Sequence, residues 1–294
     1  MGTQLRIAIT GANGQLGLAL ARRLVRDHSI VALARNDLDV SDAQACQTLL
    51  ERERPDFLLN CAAHTAVDRA EAEREQAFAI NANGPRELGR ICQALGIVPI
   101  HFSTDYVFDG TQRRPYVESD TTNPQSVYGE SKLKGERALA QECEHHLIVR
   151  LSWVYGNDGA NFYKTMLRLA SERPELRVVS DQFGVPNYTA DIADAVAAVL
   201  ALPKSDIAAK SGLYHLSAAG ATSWCEFARA IIDGVGLQRN VTVQSISTSD
   251  YPTAAKRPAY SVLDSSRFAA TFGVAMPAWQ DALQRCIAAR NSST

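Results

Sequence analysis

The 294-residue sequence has no C-x-x-C pair, no His/Cys spacing suited to a metal, no block of basic residues and no apolar run longer than Ala195–Leu202. Each absence removes a class of protein. A membrane-spanning helix needs ~20 consecutive apolar residues, so the chain offers no candidate. A formal net charge of −2, from 30 basic and 32 acidic residues, gives no field to hold a nucleic-acid backbone or an anionic membrane. The six cysteines, Cys46, Cys61, Cys92, Cys143, Cys225 and Cys286, fall singly, most of them in predicted strands or helices. They read as reduced core or surface thiols. Repeats and low-complexity tracts are missing too, which leaves an ordinary globular composition, 46% hydrophobic and 21% charged. Met1-Gly-Thr-Gln-Leu5 runs straight into a predicted strand without a secretory pattern, so a cytoplasmic location is expected. The polar Asn291–Thr294 tail is expected to fray.

The first half alternates short apolar runs with amphipathic stretches. Strands are expected at Leu5–Thr10, Ile30–Ala34, Phe57–Cys61, Ile97–Phe102 and Leu147–Leu151. Helices are expected between them at Gln15–Arg26, Asp42–Arg54, Arg69–Ile80, Pro85–Leu95 and Ser126–Cys143. This β-α-β rhythm predicts an α/β protein with a doubly wound (Rossmann) parallel sheet, its ligand crevice at the carboxyl ends of the strands. After Tyr155 the rhythm becomes irregular, with helix patterns at Asn161–Glu172, Thr189–Leu202, Ser223–Gly234 and Ala278–Arg290. The expected division is a dinucleotide-binding domain over 1–155 and a smaller, mainly substrate-binding domain over 156–294. The interval 178–217 is open to either.

Glycines at 11, 14 and 17 follow a predicted strand and open a predicted helix. Missing side chains permit a tight turn and let backbone approach a pyrophosphate, while the helix N-terminus presents unpaired N–H groups to its charge. The next strand ends in Ala34-Arg35, where selection of NAD calls for an acidic residue. A cation here suits a 2′-phosphate, which favours NADPH; Asp39, a few residues on, keeps NADH open.

Tyr128 and Lys132 stand four apart in a predicted helix and so share a face. A neighbouring ammonium favours phenolate, so Lys132 is expected to make the Tyr128 proton easier to transfer. Nine tyrosines and a handful of lysines meet at this spacing about 0.2 times by chance in such a chain, and this pair alone occurs. The strand at Ile97–Phe102 runs into Ser103-Thr-Asp-Tyr-Val-Phe-Asp-Gly110, which puts hydroxyls and a carboxylate beside the crevice. Thr104 there can donate to a substrate oxygen that gains charge as hydride arrives. Ser103 and Asp109 suit ordinary turn chemistry equally well.

Together with Ala62-Ala-His-Thr-Ala-Val-Asp68 and Arg150-x-Ser-Trp-Val-Tyr155, these strings resemble the extended short-chain dehydrogenases/reductases, and the resemblance covers nearly the whole chain. It implies a reductase that uses NADPH, with NADH also admissible, on a nucleotide-linked 4-keto-6-deoxyhexose. It places Gly14, Gln15 and Leu16 on the pyrophosphate, Asp39 and Val40 near the adenosine, and Ala63, His64 and Thr65 along the dinucleotide. Thr104 and Asp105 would meet the sugar, and Trp153 would pack on it. Tyr128 would donate the proton, and Lys132 would hold the nicotinamide ribose. Asn161 and Arg257 would reach the nucleotide diphosphate, Arg257 because its planar fork matches phosphate oxygens.

Without the resemblance, His64 is an ordinary structural histidine and Trp153 a core residue. Some members bridge a homodimer through Mg²⁺ held by carboxylates where this chain has Gln15 and Ala190. A neutral amide and a methyl do not replace hard anionic oxygens, so a homodimer stays open but a Mg²⁺-linked one is not expected. Two other functions are open to such a scaffold. An epimerase or dehydratase on this scaffold would want Asp-Glu after the active-site threonine, and here Tyr106 follows Asp105. A non-catalytic dinucleotide-binding regulatory subunit would leave the Tyr/Lys pair free to drift, and both are intact.

Overall fold

The structure, a computed structural model, describes residues 4–291, so the tail residues 292–294 lie outside the described residues. The chain runs β1 (Arg6–Thr10), α1 (Gln15–Leu24), β2 (Ser29–Leu33), α2 (Ala43–Glu53), β3 (Phe57–Asn60), α3 (Val67–Ala72), α4 (Arg74–Phe78), α5 (Gly84–Leu95), β4 (Val98–Thr104), α6 (Val127–Glu142) and β5 (Leu147–Leu151). It continues through β6 (Val154–Tyr155), α7 (Phe162–Glu172), β7 (Glu175–Val179), β8 (Phe183–Gly184), β9 (Asn187–Tyr188), α8 (Thr189–Leu200), α9 (Lys204–Ala208) and β10 (Gly212–His215). The last elements are β11 (Thr222–Ser223), α10 (Trp224–Gly234), β12 (Thr242–Ile246), α11 (Ser266–Phe272) and α12 (Trp279–Asn291).

Six of these strands form one parallel sheet in the order β2-β1-β3-β4-β5-β10. Both faces are covered, which is why β3 and β4 are buried along their whole length. Ile7, Ile9, Leu59 and Ile100 pack with Leu20 and Leu24 of α1 and Ile192, Val196 and Val199 of α8. Ala8, Leu33 and Leu58, one residue out of phase, pack with Leu49 and Leu50 of α2 and Leu88, Ile91 and Cys92 of α5. The order reverses between β1 and β3, so loops leaving those strands diverge and open a crevice.

Within the expected 156–294 region, α8 and β10 join this sheet layer, and Phe268 and Phe272 of α11 pack into its core. The remaining elements enclose a second core, rich in aromatic side chains: Tyr155, Tyr163, Phe227 and Trp279 pack with Leu176 of β7 and Leu283 of α12. Helix α10 is fixed at its start by a reciprocal cap between Ser223 and Glu226.

Two expected elements differ. The helix read over Arg69–Ile80 breaks at Glu73 (φ −108°, ψ 40°), and a π turn over Ala79–Asn83 then leads into α5. The Asn81 amide explains the wide turn, since it is occupied with the His64 backbone and the Ser131 hydroxyl. The strand expected to end at Phe102 extends to Thr104, because Ser103 and Thr104 pair with Arg150 and Leu151 of β5. None of the six cysteines is in a disulfide, and all but Cys61 are buried.

Candidate active site

A cleft of about 660 Å³ opens at the carboxyl ends of the sheet strands. Its phosphate end is built on the glycine loop. Gly11 has φ +64°, and a Cβ there would lie 2.8 Å from Ala62 N; one on Gly17 would lie 2.4 Å from the Gly11 carbonyl. Only hydrogen lets the turn and α1 approach each other and the loop after β3 this closely. No side chain caps α1 at Gly14, so its first N–H groups remain for an anion. Gln15, Leu16, Arg35, Asp39, Val40, Ala63 and Thr65 line the same trough. A bare, uncapped helix end on a trough that an exposed arginine also lines fits a phosphorylated dinucleotide. The Asp39 carboxylate bonds the Ser41 N–H and hydroxyl, which holds its pKa below the usual range.

His64 is not placed as expected. Asn81 clamps its backbone, its imidazole pairs with Glu73, Nε2 to Oε2 2.7 Å, and it does not line the cleft. Asn161 is likewise outside the cleft lining: its amide donates to Gln15, Gly156 O and Asp158 O, and its oxygen caps α7. Arg257 forks onto Asp68 (2.7 and 3.0 Å) and does not line the cleft in this structure. Gln15 donates to Val154 O, and Ala190 packs against the second core, so neither presents an anionic oxygen to a metal. Among the described residues, no group of three or more His, Cys, Asp or Glu side chains is placed to hold a metal ion.

The reactive end combines β4, β5 and α6. Helix α6 starts at Ser126, which accepts from Gly129 N, and Gly129 lets the helix sit against Tyr106, whose carbonyl would be 2.2 Å from a Cβ. That docking brings Tyr128 and Lys132 into the cleft beside Thr104, Asp105 and Trp153. The Tyr128 ring meets Tyr106 edge-on at 5.5 Å, and its hydroxyl reaches Thr104. Burial pushes the phenol up to about 12. Lys132 therefore does not acidify it here, contrary to expectation: its ammonium is tied to Phe102 O at 2.7 Å and faces His101. Burial also lowers Lys132 to about 8.

Thr104 donates to Asp105 Oδ1 at 3.1 Å and accepts from Tyr106 N. Burial pushes the Asp105 carboxyl up to about 6, against the hydroxyls of Ser261 and Thr104, which act to lower it. A carboxyl raised in the folded state contributes stability below its ordinary pKa and loses it as pH rises through about 6. Asp105→Asn removes this dependence. Its stability relative to the parent is expected to improve by about 3 kcal/mol between acid and neutral pH, read from denaturant midpoints at both.

Trp153 also lines the cleft. Its backbone is in the left-handed region (φ +41°), and its ring stacks on Trp224 with centroids 3.5 Å apart. Trp224 escaped the sequence reading because it comes from α10, far along the chain. Ser152, Gly159 and Ala160 also line the cleft; only Ser152, just past β5, carried a positional signal.

A family model described as RmlD substrate binding domain matches residues 5–292. A dTDP-4-dehydrorhamnose reductase of Sinorhizobium fredii is 42% identical over 287 residues, 96% of this chain and 97% of that protein. One of Escherichia coli K12 is 41% identical, with 96% and 97% covered. The crystal structure of dTDP-4-dehydrorhamnose reductase from Bacillus anthracis in complex with NADP superposes with a TM-score of 0.92 at 37% identity, covering 98% of this chain and 100% of that one.

Proposed function

The chain belongs to the RmlD substrate binding domain family of dTDP-4-dehydrorhamnose reductases, and on that premise we propose that it reduces the C4 keto group of dTDP-4-dehydro-L-rhamnose with NADPH, giving dTDP-L-rhamnose. The observation that carries the reading is the convergence of Thr104, Tyr128 and Lys132 at one end of a trough whose other end is the bare glycine turn.

Bound NADPH supplies the hydride for the C4 carbonyl carbon. The glycine turn and the start of α1 would hold its pyrophosphate, Asp39 and Val40 would flank the adenosine, and Ala63 and Thr65 would run beside the chain of phosphates and riboses; the His64 backbone groups are already taken by Asn81. Tyr128 donates its phenolic proton to the alkoxide oxygen. Its raised pKa keeps that proton in place throughout the neutral range. Thr104 points its single hydrogen at Asp105, so it reaches the substrate oxygen by turning its hydroxyl at the cost of that bond. Lys132, with two donors spent on β4, keeps a third for the nicotinamide ribose. Asp105 Oδ2 accepts from a sugar hydroxyl, and Trp153 covers the sugar.

Among the described residues no helix is long and apolar enough to cross a membrane. Because both reactants are soluble anionic nucleotides, the reading places the enzyme in the cytoplasm. Any homodimer forms without Mg²⁺ at Gln15 and Ala190.

The test is NADPH consumption by the purified protein given dTDP-4-dehydro-L-rhamnose made in situ. Turnover with formation of dTDP-L-rhamnose supports the reading, and its absence from protein that binds NADPH rejects it. Arg35 sets cofactor choice: Arg35→Ala should lower the NADPH-over-NADH ratio of kcat/KM about tenfold, the scale of one exposed charge-assisted bond to phosphate. An unchanged ratio would remove Arg35 from 2′-phosphate recognition.

A further inference from the structure

Beneath the cleft a row of polar side chains crosses the sheet. Thr10, Asn60 and His101 are register neighbours on β1, β3 and β4. Thr10 donates to Asn60 Oδ1 at 2.7 Å, Asn60 Nδ2 lies 3.0 Å from His101 Nδ1, and His101 Nε2 lies 3.3 Å from Lys132 Nζ. Thr10 and His101 are fully buried, Asn60 is 1% exposed and Lys132 2%. Burial at this level demands that every donor find an acceptor. Three linked polar residues buried side by side across the central strands therefore require a reason.

Hydrogen-bond direction supplies one. Where the Asn60 amide donates to Nδ1, the neutral imidazole carries its hydrogen on Nε2, and that N–H needs an acceptor, which only an uncharged Lys132 amine provides. Where the amide is turned over, its oxygen accepts from Nδ1–H, and the bare Nε2 accepts from the Lys132 ammonium. Both arrangements leave the His101–Lys132 contact paired, and they differ in the charge on Lys132.

We propose that His101, held by Asn60 and Thr10, is the positioning residue of Lys132, and that the direction of this buried row is coupled to the charge of the lysine. The inference rests on the reductase reading for the role of Lys132 in turnover. Burial holds His101 neutral, its pKa well below that of a free imidazole, so the ring changes tautomer rather than charge. The other groups facing Lys132 are Glu136 on its own helix, which is committed to Arg150, Cys61 after β3, and Tyr128 in the shared cleft. Glu136 favours the ammonium. Phe102 O anchors the lysine in either charge state.

The direct test needs neither substrate nor turnover. Two-bond ¹H–¹⁵N spectra of protein labelled in its histidine rings, assigned with a His101 variant, should show the Nδ1–H tautomer at about pH 6 and the Nε2–H tautomer at about pH 10. The same tautomer at both values overturns the coupling whatever the enzyme's substrate proves to be. Kinetics supply the second arm. If the ammonium is the working form, the alkaline limb of kcat lies near the Lys132 value of about 8. His101→Leu removes an acceptor for the ammonium and should move that limb down by roughly one pH unit. Asn60→Asp pins the imidazole hydrogen on Nδ1 and should move it up, and it carries the test if the leucine variant fails to fold. Limbs unmoved in the folded variants would overturn the positioning role, because a purely structural defect lowers kcat without displacing its pH dependence.

Discussion

Tyr128→Phe is expected to fold like the parent, bind NADPH with near-parental affinity, and turn over at least ~10²-fold more slowly, the scale of a lost general acid. The substitution removes one oxygen and keeps the edge-on ring contact with Tyr106. The only structural cost is the contact between the phenol and the Thr104 hydroxyl. The loss should fall on kcat with KM little changed, because proton delivery is made only in the transition state. Stopped-flow NADPH oxidation beside an equilibrium NADPH titration measures both terms. Near-parental turnover in the folded variant would remove Tyr128 from the mechanism.

The pH dependence sharpens that prediction. With the phenol pushed up to about 12 and the Lys132 ammonium down to about 8, the parental rate should fall as pH rises through about 8. The group lost there is the lysine's charge, not the tyrosine's proton. The residual rate of Tyr128→Phe should keep the same alkaline limb, since the lysine is untouched.

What the sequence could convey depended on distance along the chain. The glycine turn was legible because strand, turn and helix start are local chemistry, and Tyr128 with Lys132 because four residues of helix bring two side chains to one face. The direction of the His64 ring was not legible: it depends on Asn81, whose amide clamps the preceding loop through a π turn that no periodicity announces. Thr10, Asn60 and His101 meet only through parallel register, successive partners standing 50 and 41 positions apart in the chain. Lys132 was found, but the state of Tyr128 was misread, because burial of the phenol itself pushes it up and burial of the ammonium pushes Lys132 down. Asn161 and Arg257 have the right chemistry for a diphosphate, yet the Asn161 amide is taken up by carbonyls and the fork of Arg257 is turned onto Asp68.

The same dependence on long-range pairing makes Glu136→Leu the largest expected loss of stability. Glu136 lies one turn beyond Lys132 on α6 and takes both arms of Arg150 on β5, at 2.9 and 2.7 Å. Their side chains are only 5% and 2% exposed, so neither charge has water to fall back on. The other neighbours of Arg150 are the Phe108 face, 5.0 Å away, and His215, Nη1 to Nε2 3.4 Å. Burial and the guanidinium itself push His215 down to about 3, so it stays neutral and cannot replace the lost anion. Leaving one buried charge unpaired costs ~3–5 kcal/mol, and the melting midpoint should drop by about 10 °C. Adding Arg150→Met should recover most of that loss, because an apolar pair of similar volume carries no desolvation penalty. Thermal unfolding of the two variants beside the parent reads this directly. A single variant as stable as the double one would mean that the pair, despite its burial, does not clamp α6 to the sheet. Because Glu136 also favours the Lys132 ammonium, activity is compared at about pH 6, where the lysine stays charged; there, well below its lowered midpoint, the single variant should retain kcat/KM within about tenfold. A greater loss would show that the clamp also sets the position of Tyr128 and Lys132.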